Sequence, residues 1–483
     1  MDQRLVILSD FNSKAWLPEL IYEGGSFKRD RAILCDDVGR IHRTASGDEV
    51  EDPIRLKGRV ILPGLINAHS HAFQRVIRGR TELRTANSRD SFWTWREMMY
   101  SAAARLTPED VYDASRMSFL EMALSGITTV GEFHYLHHAP DGSTYDDPNL
   151  LAKEVVRAAN DVGLRIALLR VAYARSGYET ETNPQQARFI ETNPETYLKN
   201  VEQLNSDLKQ SGMAPAKAWA GVAPHSVRAV PLAYLKEITG FANERKLPTH
   251  MHVAEQQAEV SACIEEYGRS PVALLATEGL LSERFTGVHS IHVSPKAIAM
   301  VAEARAMVCA CPTTERNLGD GILPADGYFK QGVRVALGTD SQVQIDLLED
   351  ARELEYHVRL QRMERAALEG SSRPEGAEPD ARMSDLAGSL FDCATINGAE
   401  SLQFPGGTLQ PERAADFFTV DLNDASIAGA SPDDLLPSIV FSLSRTAVRD
   451  VVVGGKRIVE DGRHSLQDEI VVRFKALQKR LWS

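Results

Sequence analysis

A short apolar segment that ends in a His-x-His pair, Pro63-Gly-Leu-Ile-Asn-Ala-His69-Ser-His71, decides the fold of this 483-residue chain. Residues two apart on a β-strand project from the same face, so His69 and His71 can bind one metal ion. Neutral imidazole is a common protein ligand for zinc. The pair alone is weak evidence, because histidines at this spacing also occur in cores and on surfaces. The rest of the chain has to support the metal interpretation.

Three more residues with metal-binding or acid–base chemistry lie at the ends of predicted strands or just after them, later in the chain: His252, His289 and Asp340. In an α/β barrel, side chains at the carboxyl ends of the strands point into the active site. His250 shares a face with His252 but lies two residues, about 6.6 Å, deeper in its strand, which predicts a core histidine. An ordered set of His-x-His, His, His and Asp at strand ends is difficult to reach by chance and favours a metal site.

Apolar segments alternate with longer helical patterns through the middle of the chain, residues 63–405. The segments predicted as strands are 60–62, 127–130, 165–169, 219–222, 249–253, 286–288, 306–309 and 333–337. Eight strands with intervening helices are typical of a (β/α)8 barrel of the TIM type. The fold class is therefore predicted to be α/β.

Both ends of the chain contain short strands broken by turns. Neither end has enough residues for a large core, so residues 1–62 and 406–483 are predicted to form one small flanking β domain together. The segment 5–8 would be its first strand, and an amphipathic helix over 466–481 would close the chain. Residues 369–380 are rich in Gly, Ser, Pro and Glu, which predicts an exposed loop.

The composition restricts the class of protein. Hydrophobic residues make up 43% of the chain and charged residues 25%, which excludes disorder as the dominant state. The net charge is −13 and no basic run occurs, so we expect no nucleic-acid partner. Because no stretch approaches the ~18 apolar residues that span a bilayer, we expect no membrane partner either. Five scattered cysteines and no signal peptide predict reduced thiols in a cytoplasmic protein.

Six stretches carry a resemblance to a known family. They are 69–75 (HSHAFQR), 91–96 (SFWTWR), 132–138 (EFHYLHH), 225–228 (HSVR), 250–256 (HMHVAEQ) and 314–321 (TERNLGDG). They resemble the amidohydrolase superfamily of metal-dependent hydrolases and, within it, the formimidoylglutamate deiminase family. The resemblance runs through most of the barrel in the same order. It implies a (β/α)8 barrel with a small flanking β-sandwich made from both termini.

The resemblance also implies a metal site. His69, His71, His252 and Asp340 would hold one Zn²⁺ per chain, with Fe²⁺ and Mn²⁺ as alternatives. No lysine sits at a strand end where a two-metal member of the superfamily places its carboxylated bridge. One departure is visible, because Gln342 stands where members of the family often carry a histidine.

Roles for the surrounding residues follow from the same resemblance. The implied substrate is the small molecule N-formimino-L-glutamate, an amidine with two carboxylates. Asp340 would accept a proton from water, Glu255 would give one to the departing nitrogen, and His289 would stabilise the intermediate.

Substrate contacts are implied for Gln74, Arg96, Tyr135, His225 and Arg228. Arginine forms bidentate pairs with carboxylates, which suits the two arginines to a substrate with two acidic groups. Arg96 would reach in from a neighbouring subunit, so we expect a homodimer. Taken alone, either arginine is also typical of a solvated surface.

Two other functions remain open at this stage. A deaminase of a purine, pyrimidine or other cyclic amidine would use the same metal site, although a flat heterocycle favours stacking and amide contacts over paired arginines. A non-catalytic scaffold of the same fold would have lost metal ligands, whereas all four are present here. A second metal site at His134, His137 and His138 is a minor alternative.

Overall fold

Two β-sheets and the helices around them make up the fold. The structure is a computed structural model that describes residues 14–83, 92–181, 183–211, 216–369 and 386–483. The predicted strand at 5–8, and all but the first residue of the predicted loop at 369–380, lie outside these ranges.

The strands are β1 (Lys14–Glu23), β2 (Ser26–Lys28), β3 (Arg31–Cys35), β4 (Ile41–Ser46), β5 (Ile54–Pro63), β6 (Leu65–Ser70), β7 (Ile127–His134), β8 (Arg165–Ala172), β9 (Ala218–Pro224), β10 (Thr249–Val253), β11 (Phe285–His289), β12 (Met307–Ala310), β13 (Val335–Leu337), β14 (Phe417–Asp421), β15 (Val448–Val453), β16 (Lys456–Glu460) and β17 (Arg463–His464).

The α-helices are α1 (Phe92–Ala103), α2 (Pro108–Leu124), α3 (Leu150–Val162), α4 (Pro194–Gln210), α5 (Leu232–Arg245), α6 (Gln257–Tyr267), α7 (Pro271–Thr277), α8 (Pro295–Glu303), α9 (Pro312–Leu318), α10 (Ala325–Lys330), α11 (Leu347–Arg362), α12 (Leu386–Cys393), α13 (Ile396–Ser401), α14 (Leu435–Ser442) and α15 (Gln467–Trp482). Short 3-10 helices occur at Gly47–Glu49, Ala72–Ile77, Pro184–Gln186 and Arg445–Ala447.

The barrel consists of eight parallel strands, β6 to β13, hydrogen-bonded in chain order. An isolated parallel bridge between Ser70 and Asp340 joins its first and last strands. Gly338 permits this approach, because a Cβ at that position would lie 2.7 Å from the Cβ of His69. The predicted (β/α)8 barrel is confirmed, and its two edges meet at predicted metal ligands.

A second, mixed sheet of nine strands flanks the barrel and takes β1–β5 from one end of the chain and β14–β17 from the other. Its strands enclose a core of their own, in which Trp16 packs edge-on against Phe417 with ring centroids 5.4 Å apart. The turn at Gly39 reaches across the sheet, where its carbonyl accepts the N–H of Ala415. The predicted flanking domain from both termini is confirmed.

The segment 60–62 is a correction to the predicted strands. We expected it to open the barrel, but it belongs to β5, which pairs with β1 and β14 of the flanking sheet. Val60 and Leu62 pack into the barrel core, while Ile61 packs into the core of the flanking sheet. A strand buried on both faces has the continuous apolar run of a parallel barrel strand, which explains the error. The barrel opens with β6, after the break at Gly64.

Smaller predictions also have outcomes. The terminal amphipathic helix is present as α15, close to the predicted limits. All five cysteines are buried and free. None of the helices in the described ranges is long and apolar enough to cross a membrane.

Candidate active site

Four side chains converge at the carboxyl end of the barrel. His69 lies in β6 with His71 just after it, His252 lies in β10, and Asp340 follows β13. The Nε2 atoms of His69 and His71 are 3.2 Å apart, and Asp340 Oδ1 lies 3.3 and 3.2 Å from them. One ligand atom from each of the four residues lies within 4.8 Å of the others. The structure thus brings together the four residues predicted to hold a metal.

Backbone carbonyls fix the orientation of two of the imidazoles. His71 Nδ1 donates to the carbonyl of Phe133 at 2.9 Å, and His252 Nδ1 donates to the carbonyl of His225 at 3.2 Å. A neutral imidazole that donates from Nδ1 keeps its lone pair at Nε2, the atom that binds metal. The Nε2 atoms of His71 and His252 therefore carry a lone pair and no proton on the side of the Asp340 carboxylate. Three imidazoles and one carboxylate in this arrangement fit a divalent metal ion.

The surroundings of His69, His252 and Asp340 keep these three ligands in the protonation states that metal binding requires. It lowers the pKa of His69 to about 3, although the Asp340 carboxylate acts in the opposite direction. Burial also lowers the pKa of His252 well below its ordinary value. For Asp340, burial alone would raise the pKa, but its contacts with His69 and His71 hold the pKa well below its usual range. Neutral histidines and an ionised aspartate are the forms that bind a metal.

Glu255 and His289 lie beside the cluster. His289 ends β11, and its Nε2 lies 3.6 Å from Glu255 Oε1 and 3.7 Å from Asp340 Oδ2. Left-handed backbone occurs at Ala254 (φ 51°), His289 (φ 67°) and Asp340 (φ 45°). Such conformations are costly for residues other than glycine and concentrate at functional sites. The structure therefore places the three predicted catalytic residues side by side.

Glu315 is a site residue that the sequence analysis missed. Its Oε1 accepts from His289 Nδ1 at 3.1 Å and from the backbone N–H of Cys311 at 2.9 Å. Burial would lower the pKa of His289, but the carboxylates of Glu255, Glu315 and Asp340 raise it well above its ordinary value. The stretch 314–321 was noted for its resemblance alone, and nothing in it shows that Glu315 contacts a histidine 26 residues away.

A cavity opens above the cluster. All five residues predicted to contact substrate line it: Gln74, Arg96, Tyr135, His225 and Arg228. The Gln74 amide donates to the Tyr135 hydroxyl at 2.8 Å, and the Gln74 Oε1 atom has no hydrogen-bond partner in the described part of the chain. An unpaired buried acceptor is costly, so this oxygen is available to a ligand that donates a proton.

Two arginines contribute positive charge to the cavity. Arg228 donates to the Ser176 carbonyl at 2.8 Å and to the Tyr173 hydroxyl at 3.3 Å, both neutral groups. Arg96 lies over the Trp93 ring at 4.4 Å, and its Nε and Nη1 atoms are buried without a partner among the described residues. We expected Arg96 to serve a neighbouring subunit, whereas here it lines the cavity of its own chain.

Three further histidines have structural partners. His250 donates to the Ser401 carbonyl at 2.9 Å, as expected of a core histidine. His137 and His138 each contact a backbone carbonyl, at 2.8 and 3.1 Å. Within the described ranges, the only other group with metal-ligand geometry joins His289 and Cys311 to the same Asp340. No metal grouping occurs at the histidines of 134–138 in these ranges.

Comparisons with known proteins agree with this geometry. A formimidoylglutamate deiminase of Pseudomonas aeruginosa is 37% identical over 96% of this chain and 97% of its own length. A 5-methylthioadenosine/S-adenosylhomocysteine deaminase of Natronomonas pharaonis is 27% identical over 93% of both chains.

Solved structures of related enzymes share the fold of this chain. The crystal structure of an amidohydrolase from Brucella melitensis superposes with a TM-score of 0.87, at 33% identity, covering 97% of this chain and 100% of that one. An adenosine deaminase from Xanthomonas campestris, solved with bound zinc, shares the fold at a TM-score of 0.79 and 21% identity, with 97% and 98% covered. The profile of the amidohydrolase family matches residues 60–458. This chain belongs to the amidohydrolase family.

Proposed function

We propose that this protein is a hydrolase that converts N-formimino-L-glutamate and water into N-formyl-L-glutamate and ammonia. The observation that carries the proposal is the pair of cavity arginines, Arg96 and Arg228. Neither forms an ion pair with a carboxylate in the described part of the chain, and both line the cavity that contains the metal-type cluster. Partly buried guanidinium groups that form no ion pair with the described carboxylates are suited to an anionic substrate.

The opposite end of the substrate is an amidine, which donates protons. Acceptors for it lie near the cluster, because Gln74 and Glu255 both line the cavity, and Gln74 Oε1 has no partner among the described residues. A substrate with carboxylates at one end and an amidine at the other therefore matches the distribution of donors and acceptors in the site.

The bound divalent metal would be held by His69, His71, His252 and Asp340, and it would supply Lewis acidity and make water acidic enough to react near neutral pH. Water adds to the amidine carbon, so a carbon–oxygen bond forms and the bond to the terminal nitrogen breaks. Asp340 accepts a proton from the water, and Glu255 passes protons to that nitrogen.

Both protons of the water leave with the nitrogen as ammonia, and the oxygen of the water becomes the carbonyl oxygen of the formyl group. Burial raises the pKa of Glu255, which suits a residue that has to hold a proton before giving it up. His289, between Asp340 and Glu255, stabilises the negative charge that develops on the oxygen.

The test is ammonia release by the metal-loaded protein from N-formimino-L-glutamate, with N-formimino-L-aspartate, 5'-methylthioadenosine, guanine and cytosine as comparisons. We expect turnover of the glutamate derivative well above the others. Turnover of a heterocycle alone would show that the protein is instead a deaminase of cyclic amidines. No ammonia release from any of the five compounds would show that the proposed substrate class is wrong.

We further propose one zinc ion per chain. Three histidines and one aspartate form a site typical of zinc, whereas Mn²⁺ prefers more oxygen ligands. Elemental analysis of the purified protein should give close to one equivalent of zinc. A dominant content of iron or manganese in the active protein would contradict the choice of metal.

We also propose that the protein is a homodimer. The resemblance implies that Arg96 reaches the site of a neighbouring subunit, whereas here it lines the cavity of its own chain. Mixing inactive Arg96→Met chains with inactive Asp340→Asn chains tests the sharing. Recovered activity would support it. A mixed dimer that stays inactive would show that Arg96 serves the cavity of its own chain, where this structure places it.

A further inference from the structure

Two tyrosines in the cavity wall share one amide. Gln186 Nε2 donates to the Tyr100 hydroxyl at 2.6 Å and to the Tyr173 hydroxyl at 3.0 Å. Tyr100 belongs to α1, Tyr173 follows β8, and Gln186 lies in the 3-10 helix beyond it. All three side chains are at most 2% exposed, and both tyrosines line the cavity. The amide therefore links two walls of the site from a position shielded from bulk solvent.

The neighbours of Gln186 determine which way its amide points. Ser176 Oγ accepts the backbone N–H of Asn183 at 2.9 Å and donates its own proton to Gln186 Oε1 at 2.6 Å. The carbonyl end of the amide is thereby engaged. Both hydrogens of its nitrogen are then used on the two phenols, since an amide nitrogen carries two donors and no acceptor.

This orientation determines where the phenol protons can go. The Tyr173 oxygen accepts from Gln186 and also from Arg228 Nη1 at 3.3 Å, which uses both of its lone pairs. The Tyr100 oxygen accepts from the same amide, and burial raises its pKa, so its proton is retained. Neither hydroxyl donates to a protein acceptor within the described ranges. Both protons are therefore free to point into the cavity.

We propose that Tyr100 and Tyr173 donate hydrogen bonds to a carboxylate of the substrate beside Arg228, and that Gln186 is the positioning residue that directs them. A carboxylate accepts about four hydrogen bonds, so one arginine leaves acceptor sites that the phenols can fill. This inference rests on the proposed function, because it names further contacts to the same acidic substrate.

Glutarate binding to the zinc-loaded protein, measured by titration calorimetry, tests the two tyrosines. We expect Tyr100→Phe and Tyr173→Phe each to weaken binding about 10- to 100-fold, the range for a hydrogen bond to a charged group. Tyr234→Phe is the matched control, because Tyr234 is buried and contacts two backbone carbonyls at 3.4 Å outside the cavity. Unchanged affinity in both cavity variants would overturn the inference.

Gln186→Glu tests the direction of the hydrogen bonds. A carboxylate at this position accepts from both phenols and turns their protons away from the cavity. We expect a larger loss of glutarate binding in the native background than in a Tyr100→Phe, Tyr173→Phe background, where only the added charge acts. Equal losses in the two backgrounds would show that Gln186 has a merely structural role.

These outcomes are distinct from those of the proposed function. If the tyrosine variants weaken glutarate binding while N-formimino-L-glutamate releases no ammonia, the inference stands and the proposed reaction is wrong. If N-formimino-L-glutamate is turned over and the variants bind glutarate like the native protein, the reaction stands and the inference is wrong.

Discussion

At the scale of single residues, the site depends on which atom of each side chain is left free. The Phe133 carbonyl holds the Nδ1 proton of His71, so that Nε2 faces Asp340 at 3.2 Å. Gln186 does the equivalent for Tyr100 and Tyr173 by occupying their oxygens. The groups that face the cavity are thus oriented by hydrogen bonds from neighbouring residues that do not themselves react.

Asp340 is the residue with two assigned roles, as metal ligand and as proton acceptor. Asp340→Asn should lower metal content and reduce turnover of N-formimino-L-glutamate by at least ~100-fold, since loss of a general base alone costs about that much. Elemental analysis and an ammonia assay measure the two effects. The half-buried Asp392, away from the cavity, provides an Asp392→Asn control. Full metal content with full activity in Asp340→Asn would refute both roles.

Arg228 is predicted to recognise the acidic end of the substrate. Arg228→Met should lower kcat/KM for N-formimino-L-glutamate about 10- to 100-fold, because a charged hydrogen bond is lost. An amidine without carboxylates should lose much less. Arg473 pairs with Asp113 outside the cavity, so Arg473→Met is the matched control. An equal loss of kcat/KM for both substrates would contradict the prediction that Arg228 binds a carboxylate of the substrate.

The residues of the site were predictable only where the local sequence pattern indicates their position in the fold. The positions of His69, His71, His252 and Asp340 at strand ends follow from alternation and strand order. Glu315 was not predictable in the same way, because its hydrogen bond to His289 spans 26 residues and forms only when β11 and the start of α9 meet.

At the scale of elements, the closure of the barrel is part of the site. Gln342 is fully buried, and its Nε2 donates to Ser70 Oγ at 2.8 Å and to the Asp340 carbonyl at 3.0 Å. Its Oε1 accepts from the Thr339 hydroxyl at 3.0 Å. One amide thus joins the end of β6 to the segment after β13, which explains how the chain uses glutamine at this position.

Removal of that amide should loosen the metal site. We expect Gln342→Leu to weaken metal affinity about 10- to 100-fold, the usual cost of losing a group that supports a ligand. Competition with a chelator measures the affinity, and Gln331→Leu at an exposed helix end is the control. Native affinity in Gln342→Leu would mean that the backbone bridge alone closes the barrel.

Element type was easier to predict than element partnership. Seven of the eight predicted barrel strands have their place in the barrel, but 60–62 belongs to β5 of the flanking sheet. Its apolar run predicts a buried strand correctly. Whether a doubly buried strand lies in one sheet or another depends on contacts with β1 and β14, which are distant in sequence.

At the scale of the whole molecule, buried ion pairs join parts of the chain that are far apart. Arg165 in β8 of the barrel forms two hydrogen bonds, of 2.7 and 3.0 Å, with Asp416, which precedes β14 of the flanking sheet. Both residues are buried, so loss of either partner would leave an uncompensated charge. The same reasoning applies to Arg170 and Glu191 within the barrel.

Glu191 makes stability depend on pH. Burial would raise its pKa, but His137, Arg170 and the Asn200 amide lower it to about 2. A depressed pKa means that this stabilisation is present above the unfolded value near 4.5 and is lost as the pH falls toward 2. We expect the free energy of unfolding to fall by roughly 3 kcal/mol more in the native protein than in Glu191→Gln over this range. Parallel acid dependence in the two proteins would contradict this assignment.

The most direct test of the account compares two substrates in one ammonia assay with the native, metal-loaded protein. These are N-formimino-L-glutamate and N-butylformamidine, which has the amidine but no carboxylate. Because two cavity arginines form no ion pair within the described part of the chain, the account predicts a kcat/KM at least ~100-fold higher for the glutamate derivative. Equal values for the two amidines would contradict recognition of an acidic substrate.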